Sequence, residues 1–204
     1  KINLELQNNG IIAIKGNQNT GTTTLFNLIA GTLSPTHGTI TLNGIDPRKI
    51  PTPIYPQLIG YIPSKNTIFQ GTIRENLTFF GAIADEQALD VAKKLGIDKA
   101  ISFLPLGYET PLFDTFSDAI SPGLKQRISI ARVLALNPKI ILFDQADTSL
   151  DIHAVQALIQ YLLVLKEHSL IIVSTQNQKF LDIYDQVYTL KNGSLHKEKG
   201  GEHV

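Results

Sequence analysis

Ten residues carry the chemistry most open to a physical reading: Lys15-Gly16-Asn17-Gln18-Asn19-Thr20-Gly21-Thr22-Thr23-Thr24. They follow the apolar run Gly10-Ile11-Ile12-Ala13-Ile14 and precede the apolar pattern Leu25-Phe26-Asn27-Leu28-Ile29-Ala30. Strand, glycine-rich turn and helix together are the setting of a phosphate-binding loop, whose template is Gly, four residues, Gly, Lys, then Ser or Thr. Gly16, Gly21 and Thr23 meet the template, and Thr22 stands where Lys is required. Glycines let the backbone point successive N–H groups inward, making an anion cradle at a helix N-terminus. The Lys would add a charge-assisted hydrogen bond of roughly 1.5–3 kcal/mol, about ten- to hundredfold in affinity. Thr22 brings a hydroxyl and no charge. The same letters also suit an ordinary strand-to-helix connection.

Composition narrows the classes. The chain has 204 residues, 43% hydrophobic and 18% charged, enough for one domain with a core, or a domain with a subdomain. A formal net charge of zero, with no basic run, argues against a nucleic-acid partner, which needs clustered Lys and Arg. With no Cys there is no disulfide, thiolate metal site or thiol nucleophile. The five His have no metal-ligand spacing and read as solvated or packed. No apolar run approaches the roughly 18 residues of a membrane span, and no signal peptide is visible. The chain begins with Lys and contains no Met, so a piece of a longer polypeptide is expected.

The elements that must position the loop follow from hydrophobic periodicity. Ile2–Leu6 alternates and is expected as a half-buried strand, and Thr39–Leu42 as another, turning at Asn43-Gly44. A helix is expected from the loop to about Ala30, ended by Gly31. After the proline-rich stretch Pro47 to Pro56 comes a short strand, Leu58–Ile62. From Thr72 to Leu106 the pattern is helical, with helices over Asp85–Leu95 and Ile97–Phe103, and reads as an inserted subdomain of roughly 72–136. A helix from Pro122 to about Leu136, a strand at Lys139–Asp144, a helix at Asp151–Lys166 and a strand at Ser169–Val173 follow. Val187–Leu190 and Ser194–His196 form a hairpin through Asn192-Gly193, and the polar tail from Lys197 is expected to fray. Strands buried on both faces and alternating with helices predict an α/β fold on a mainly parallel sheet. Tyr55, Tyr61 and Tyr108 read as core or surface residues, and Lys191, Lys197 and Lys199 as a solvated face.

Several segments, in order, resemble one family. They are the loop, Gly71-Thr72-Ile73-Arg74-Glu75-Asn76-Leu77, Leu104-Pro105-Leu106-Gly107-Tyr108-Glu109-Thr110, a helix start with Ser121, Gly123, Gln126 and Arg127, a strand ending in Asp144, and Thr148-Ser149-Leu150-Asp151. Together they resemble the nucleotide-binding domain of ABC transporters, exporter type, over nearly the whole chain. The resemblance implies a P-loop cassette with a mainly parallel core, an antiparallel β part and a helical subdomain. It implies nucleotide contacts at Gly16, Asn17, Asn19, Thr20, Gly21, Thr22, Thr23 and Thr24. It implies Mg²⁺ ligation by Thr23, with Asp144 behind it. The partners implied are a membrane domain, fused or separate, and a second nucleotide-binding domain paired head-to-tail. The location implied is the cytoplasmic face of a membrane, in a bacterium the inner one.

The resemblance also locates departures. The glutamine that touches Mg²⁺ and the attacking water falls on Ser64. The signature Leu-Ser-Gly-Gly-Gln reads Ile120-Ser121-Pro122-Gly123-Leu124. The general-base glutamate is Gln145, the switch histidine is Gln176, and the aspartate of the subunit-joining loop is kept as Asp151. The run before the signature is one residue longer than usual. Gln145 can orient water but cannot take a proton, and general-base help is worth about 10²–10⁴ in rate. Pro122 removes a backbone N–H where the signature helix presents donors to phosphate. The aromatic residue that stacks on adenine in this family lies upstream of Lys1. The expectation is a degenerate domain that binds ATP weakly or not at all and hydrolyses little or none. The alternatives are a working ATPase with substitute groups and a scaffold that docks proteins without nucleotide.

Overall fold

A computed structural model describes residues 2–7, 9–16, 20–112 and 120–198. Among these, six strands form one sheet: β1 (Gly10–Lys15), β2 (Ile59–Ile62), β3 (Ile140–Asp144), β4 (Leu170–Ser174), β5 (Gln186–Lys191) and β6 (Ser194–Lys197), ordered β2-β3-β4-β1-β5-β6. The β1–β4, β3–β4 and β1–β5 pairs are parallel, and the β5–β6 pair is antiparallel. The buried centres of β1, β3 and β4 explain why their sequences are continuous Ile, Leu, Val and Phe rather than alternating. The helices are α1 (Thr22–Ile29), α2 (Tyr55–Leu58), α3 (Ile73–Leu77), α4 (Asp85–Lys94), α5 (Ile97–Ile101), α6 (Pro122–Leu134) and α7 (Ile152–Leu165).

The chain divides into two compact units. One comprises 1–61, 138–145 and 166–204, and the other 62–137 and 146–165. The first holds most of the sheet with α1. Its core joins Ile12 and Ile14 of β1 to Leu25, Phe26 and Ala30, with Leu142, Ile172 and Tyr188 from the neighbouring strands. An eight-residue helix is too short to persist alone, so this burial, about 1.5–3 kcal/mol per large side chain, is what holds α1 behind the loop. On another part of this unit Phe143 and Phe180 stack with ring centres 5.8 Å apart.

The second unit is helical. Ile73, Leu77, Ala88, Val91, Ala92, Leu95, Ile97 and Ile128 are buried. The start of α3 is fixed by a reciprocal cap. Thr72 Oγ1 accepts from the Glu75 N–H at 3.1 Å, and the Glu75 carboxylate accepts from the Thr72 N–H at 2.7 Å. Arg132 is buried, with no carboxylate partner among the described residues. Its guanidinium donates to the Thr67 carbonyl at 2.5 Å and to Asn76 Oδ1 at 3.4 Å, and lies 4.7 Å from the Phe69 ring centre. Burial pushes its pKa down to about 10.

Some expected elements differ. Ile2–Leu6 forms no strand, although Ile2, Leu4 and Leu6 do pack on the core, so its alternation records one-sided burial without ladder bonds. Thr39–Leu42 contributes only an isolated bridge, Leu42 to Ile45. Leu58 closes α2 instead of opening β2, because Pro at the second position of Tyr55-Pro56-Gln57-Leu58 favours a helical first turn. Helix α5 stops at Ile101, leaving Phe103 exposed. Lys197 lies inside β6, since the hairpin ladder extends to the Tyr188–Lys197 pair.

Candidate functional site

Each site begins where a strand delivers the chain to a loop. β1 ends at Lys15 and Gly16 follows, where any Cβ would overlap the Thr20 hydroxyl. Gly21 has φ +96°, the left-handed backbone that opens α1, and its carbonyl accepts the Leu25 N–H at 2.9 Å. Thr22, which stands where the phosphate-loop template has Lys, is buried at 6% exposure. Thr23 and Thr24 are exposed on the first turn of α1, with Thr23's carbonyl accepting from Asn27 Nδ2 at 2.9 Å. Asn17 and Asn19, expected to contact nucleotide, lie outside the described residues.

β3 delivers Asp144, which is 4% exposed. Its Oδ2 accepts a hydrogen bond from the Tyr61 hydroxyl at 3.0 Å, and its Oδ1 is buried with no partner among the described residues. Burial, then the charge of Asp144, raises the Tyr61 pKa, so the phenol stays protonated as a donor. Sequence reasoning read Tyr61 as a core or surface residue; the separation of 83 positions hides this contact. An unpartnered buried carboxylate oxygen fits a metal or a metal-bound water, and Thr23 and Asp144 would hold Mg²⁺. Gln145 follows at φ +52°, fixed by its N–H donating to the Ser174 carbonyl at 2.7 Å. Such backbone costs a residue other than glycine about 1–2 kcal/mol. Its terminal amide has no ionisable proton acceptor.

β4 delivers Gln176, exposed just past the strand. Gly16, Thr20 and Gln176 line one cleft of about 490 Å³ together with Lys15, Thr189 and Lys191. The structure thus brings these three predicted positions together. Sequence reasoning missed Lys15, whose ammonium meets Glu198 at 3.1 Å; only its place directly before Gly16 signalled it.

The helical unit carries the other predicted positions. Ser64 is exposed, and the Pro63 carbonyl before it accepts from Gln126 Nε2 of α6 at 3.2 Å. Ser121 caps α6, its Oγ accepting from the Leu124 N–H at 3.2 Å, with Pro122 as the first helical residue. The Leu124 and Lys125 N–H groups both turn to the Ser121 carbonyl at 3.1 Å, and Pro122 has none. The start of α6 therefore presents few donors outward. Gly123 is packed so closely that a Cβ would lie 2.8 Å from the Ser149 carbonyl. Asp151 accepts from the Ala154 and His153 N–H groups at 2.8 and 2.9 Å. These bonds, the one from Ala154 first, hold its pKa below the ordinary carboxylate range.

Known proteins match this arrangement. The family model described as ABC transporter matches residues 1–148. The chain is 37% identical over 141 residues to the colicin V secretion/processing ATP-binding protein CvaB of Escherichia coli, covering 69% of this chain and 20% of that protein. It is 33% identical over 195 residues to a probable ABC transporter ATP-binding/permease protein of Haemophilus influenzae, covering 95% of this chain and 35% of the other. A solved bacterial Atm1-family ABC exporter with ATP bound superposes with a TM-score of 0.83 at 28% identity, over 91% of this chain and 33% of that one. The chain thus spans about a third or less of the length of these proteins. Among the described residues, no helix is long and apolar enough to cross a membrane.

Proposed function

From the premise that this chain belongs to the ABC transporter family and has the fold of its nucleotide-binding cassette, we propose that it is a degenerate nucleotide-binding domain of an exporter. It holds ATP weakly and turns it over little or not at all. It works beside a membrane domain, fused or separate, at the cytoplasmic face, paired with a second nucleotide-binding domain. Relatives whose names join ATP-binding to permease or secretion support that setting.

One observation carries the reading: the sequence has Thr22, Gln145 and Gln176 at the positions where the family resemblance places a lysine, a general base and a switch histidine, while Gly16, Gly21 and the Gln145–Ser174 backbone bond are present beside them. Phosphoryl transfer depends on positioning and charge neutralisation. Gly16 and Gly21 still shape the turn, and Thr20 and Gln176 offer neutral hydrogen-bond groups. Mg²⁺, when bound, neutralises phosphate charge. Gln145, held by the Ser174 carbonyl, can orient a water but leaves its proton without an acceptor. The sparse donors at the start of α6 weaken the half-site offered to a partner's nucleotide.

Thermal unfolding of the full chain with and without millimolar Mg-ATP tests the binding half of the reading. Ligand at 100 Kd adds about 2.7 kcal/mol, several degrees for a chain of this size. A smaller shift that grows with ATP concentration is expected. No shift at any concentration would move a scaffold role, docking proteins without nucleotide, to first place. Rapid turnover lost on Gln145→Ala would instead establish a working ATPase with substitute groups.

A further inference from the structure

The cleft beside the loop contains a cation that the mechanism above does not use. Lys15 ends β1 and precedes Gly16 directly. Side chains alternate along a strand, so Lys15 lies on the face opposite Ile12 and Ile14, which pack on α1. Its neighbour across the β1–β5 pair is Thr189. The Lys15 ammonium meets Glu198 Oε2 at 3.1 Å, and the Thr189 hydroxyl donates to Glu198 Oε1 at 2.6 Å. One carboxylate thus spans an ammonium and a hydroxyl, the pair of groups that two phosphate oxygens would use. Thr189's bond and then Lys15's hold the Glu198 pKa below its ordinary value, so the seat stabilises negative charge. Lys191 lines the same cleft as Gly16, Thr20 and Gln176.

The seat is easily vacated. The side chains of Lys15 and Glu198 are 41% and 42% exposed, and exposed pairs contribute little. A polyphosphate chain carries several charges where Glu198 carries one. The lysine's flexible four-carbon stem lets its point charge swing from strand to loop.

We propose that Lys15 supplies the phosphate-binding cation that Thr22 does not, and that Glu198 is a built-in anion occupying its ammonium until a polyphosphate chain displaces it. The ligand class is a nucleoside polyphosphate read through its phosphates. This deepens the reading of the loop as a nucleotide site and rests on it.

Calorimetric titration of the full chain with Mg-ATP, and separately with inorganic tripolyphosphate, tests the proposal. Lys15→Gln should weaken Mg-ATP binding by about ten- to hundredfold, the range of one charge-assisted hydrogen bond. Lys15→Arg should keep most of the affinity, and Glu198→Gln should tighten it several-fold. Lys49→Gln, a charge control elsewhere on the same unit, should change nothing. Tripolyphosphate binding that also depends on Lys15 would show that the phosphate chain suffices. Lys15-dependent binding of ATP alone would support the same role with the nucleoside required. Unchanged affinity in Lys15→Gln, weaker binding in Glu198→Gln, or no binding by either the parent or Glu198→Gln would overturn the proposal. Phosphate release measured on the same samples separates the two claims. Fast turnover defeats the degenerate-domain reading whatever Lys15 does, and Lys15-independent binding without turnover defeats only the role of Lys15.

Discussion

Replacing Tyr61 by Phe removes one oxygen and isolates a buried carboxylate. Asp144 is 4% exposed, and its Oδ1 already lacks a partner among the described residues. Without the phenol at 3.0 Å, Oδ2 has lost its donor as well. A hydrogen bond to a charged group contributes about 1.5–3 kcal/mol. For a chain of this length each kcal/mol shifts Tm by about 2–4 °C, so a drop of about 3–12 °C is expected. Thermal unfolding by circular dichroism reads it. A double-mutant cycle with Asp144→Asn assigns it to the pair, since the two losses should be strongly non-additive. The pH dependence carries a sign. A raised folded pKa gives stability that is fully present below the unfolded value of about 10 and is lost as pH rises beyond it. The alkaline loss of stability should therefore be shallower in Tyr61→Phe than in the parent. A Tm within 1 °C of the parent, with additive double-mutant energies, would refute the claim that Tyr61 supports Asp144.

Further outcomes follow from the same geometry. Thr22→Lys combined with Gln145→Glu restores a cation and a base in a kept backbone frame, and phosphate release should rise by about 10² or more over the parent if the frame is competent. Arg132→Ala leaves the Thr67 carbonyl without its donor, leaves Asn76 Oδ1 with the Phe69 N–H alone, and opens a cavity beside Phe69, so urea unfolding should show a loss of about 2–4 kcal/mol. Asp46 caps a short 3₁₀ turn, and the side-chain and then the backbone hydrogen bonds from Arg48 lower its pKa to about 2. Its stabilisation is present above the ordinary value near 4 and fades as pH falls to about 2, so the Tm gap to Asp46→Asn should be constant above about pH 4 and close below it.

The sheet was legible because its central strands are buried on both faces, leaving uninterrupted apolar runs that no surface element would carry. Pro122 marked the start of α6, because proline suits the first helical position, whereas the reciprocal cap of Thr72 and Glu75 that starts α3 was not read from the sequence. Strand assignment failed where it depended on a distant partner. Ile2–Leu6 alternates correctly yet finds no ladder, and Thr39–Leu42 reaches only one bridge. The spacing of Gly16 and Gly21 between an apolar run and a helical pattern located β1 and α1, which flank them, while residues 17–19 lie outside the described residues. The bonds from Tyr61 to Asp144 and from Lys15 to Glu198 could not be located from spacing, because they join positions separated by 83 and 183 residues that only the folded chain brings together.

The central proposal is that Thr22, Gln145 and Gln176, at positions where the family resemblance places a lysine, a general base and a switch histidine, leave this cassette idle as a hydrolase. Steady-state phosphate release by the purified full chain, in saturating Mg-ATP and at concentrations that permit pairing, addresses it most directly. The account predicts a rate indistinguishable from the protein-free control. Turnover of about 1 per second or faster, within the ordinary range for enzymes and abolished by Gln145→Ala, would contradict it.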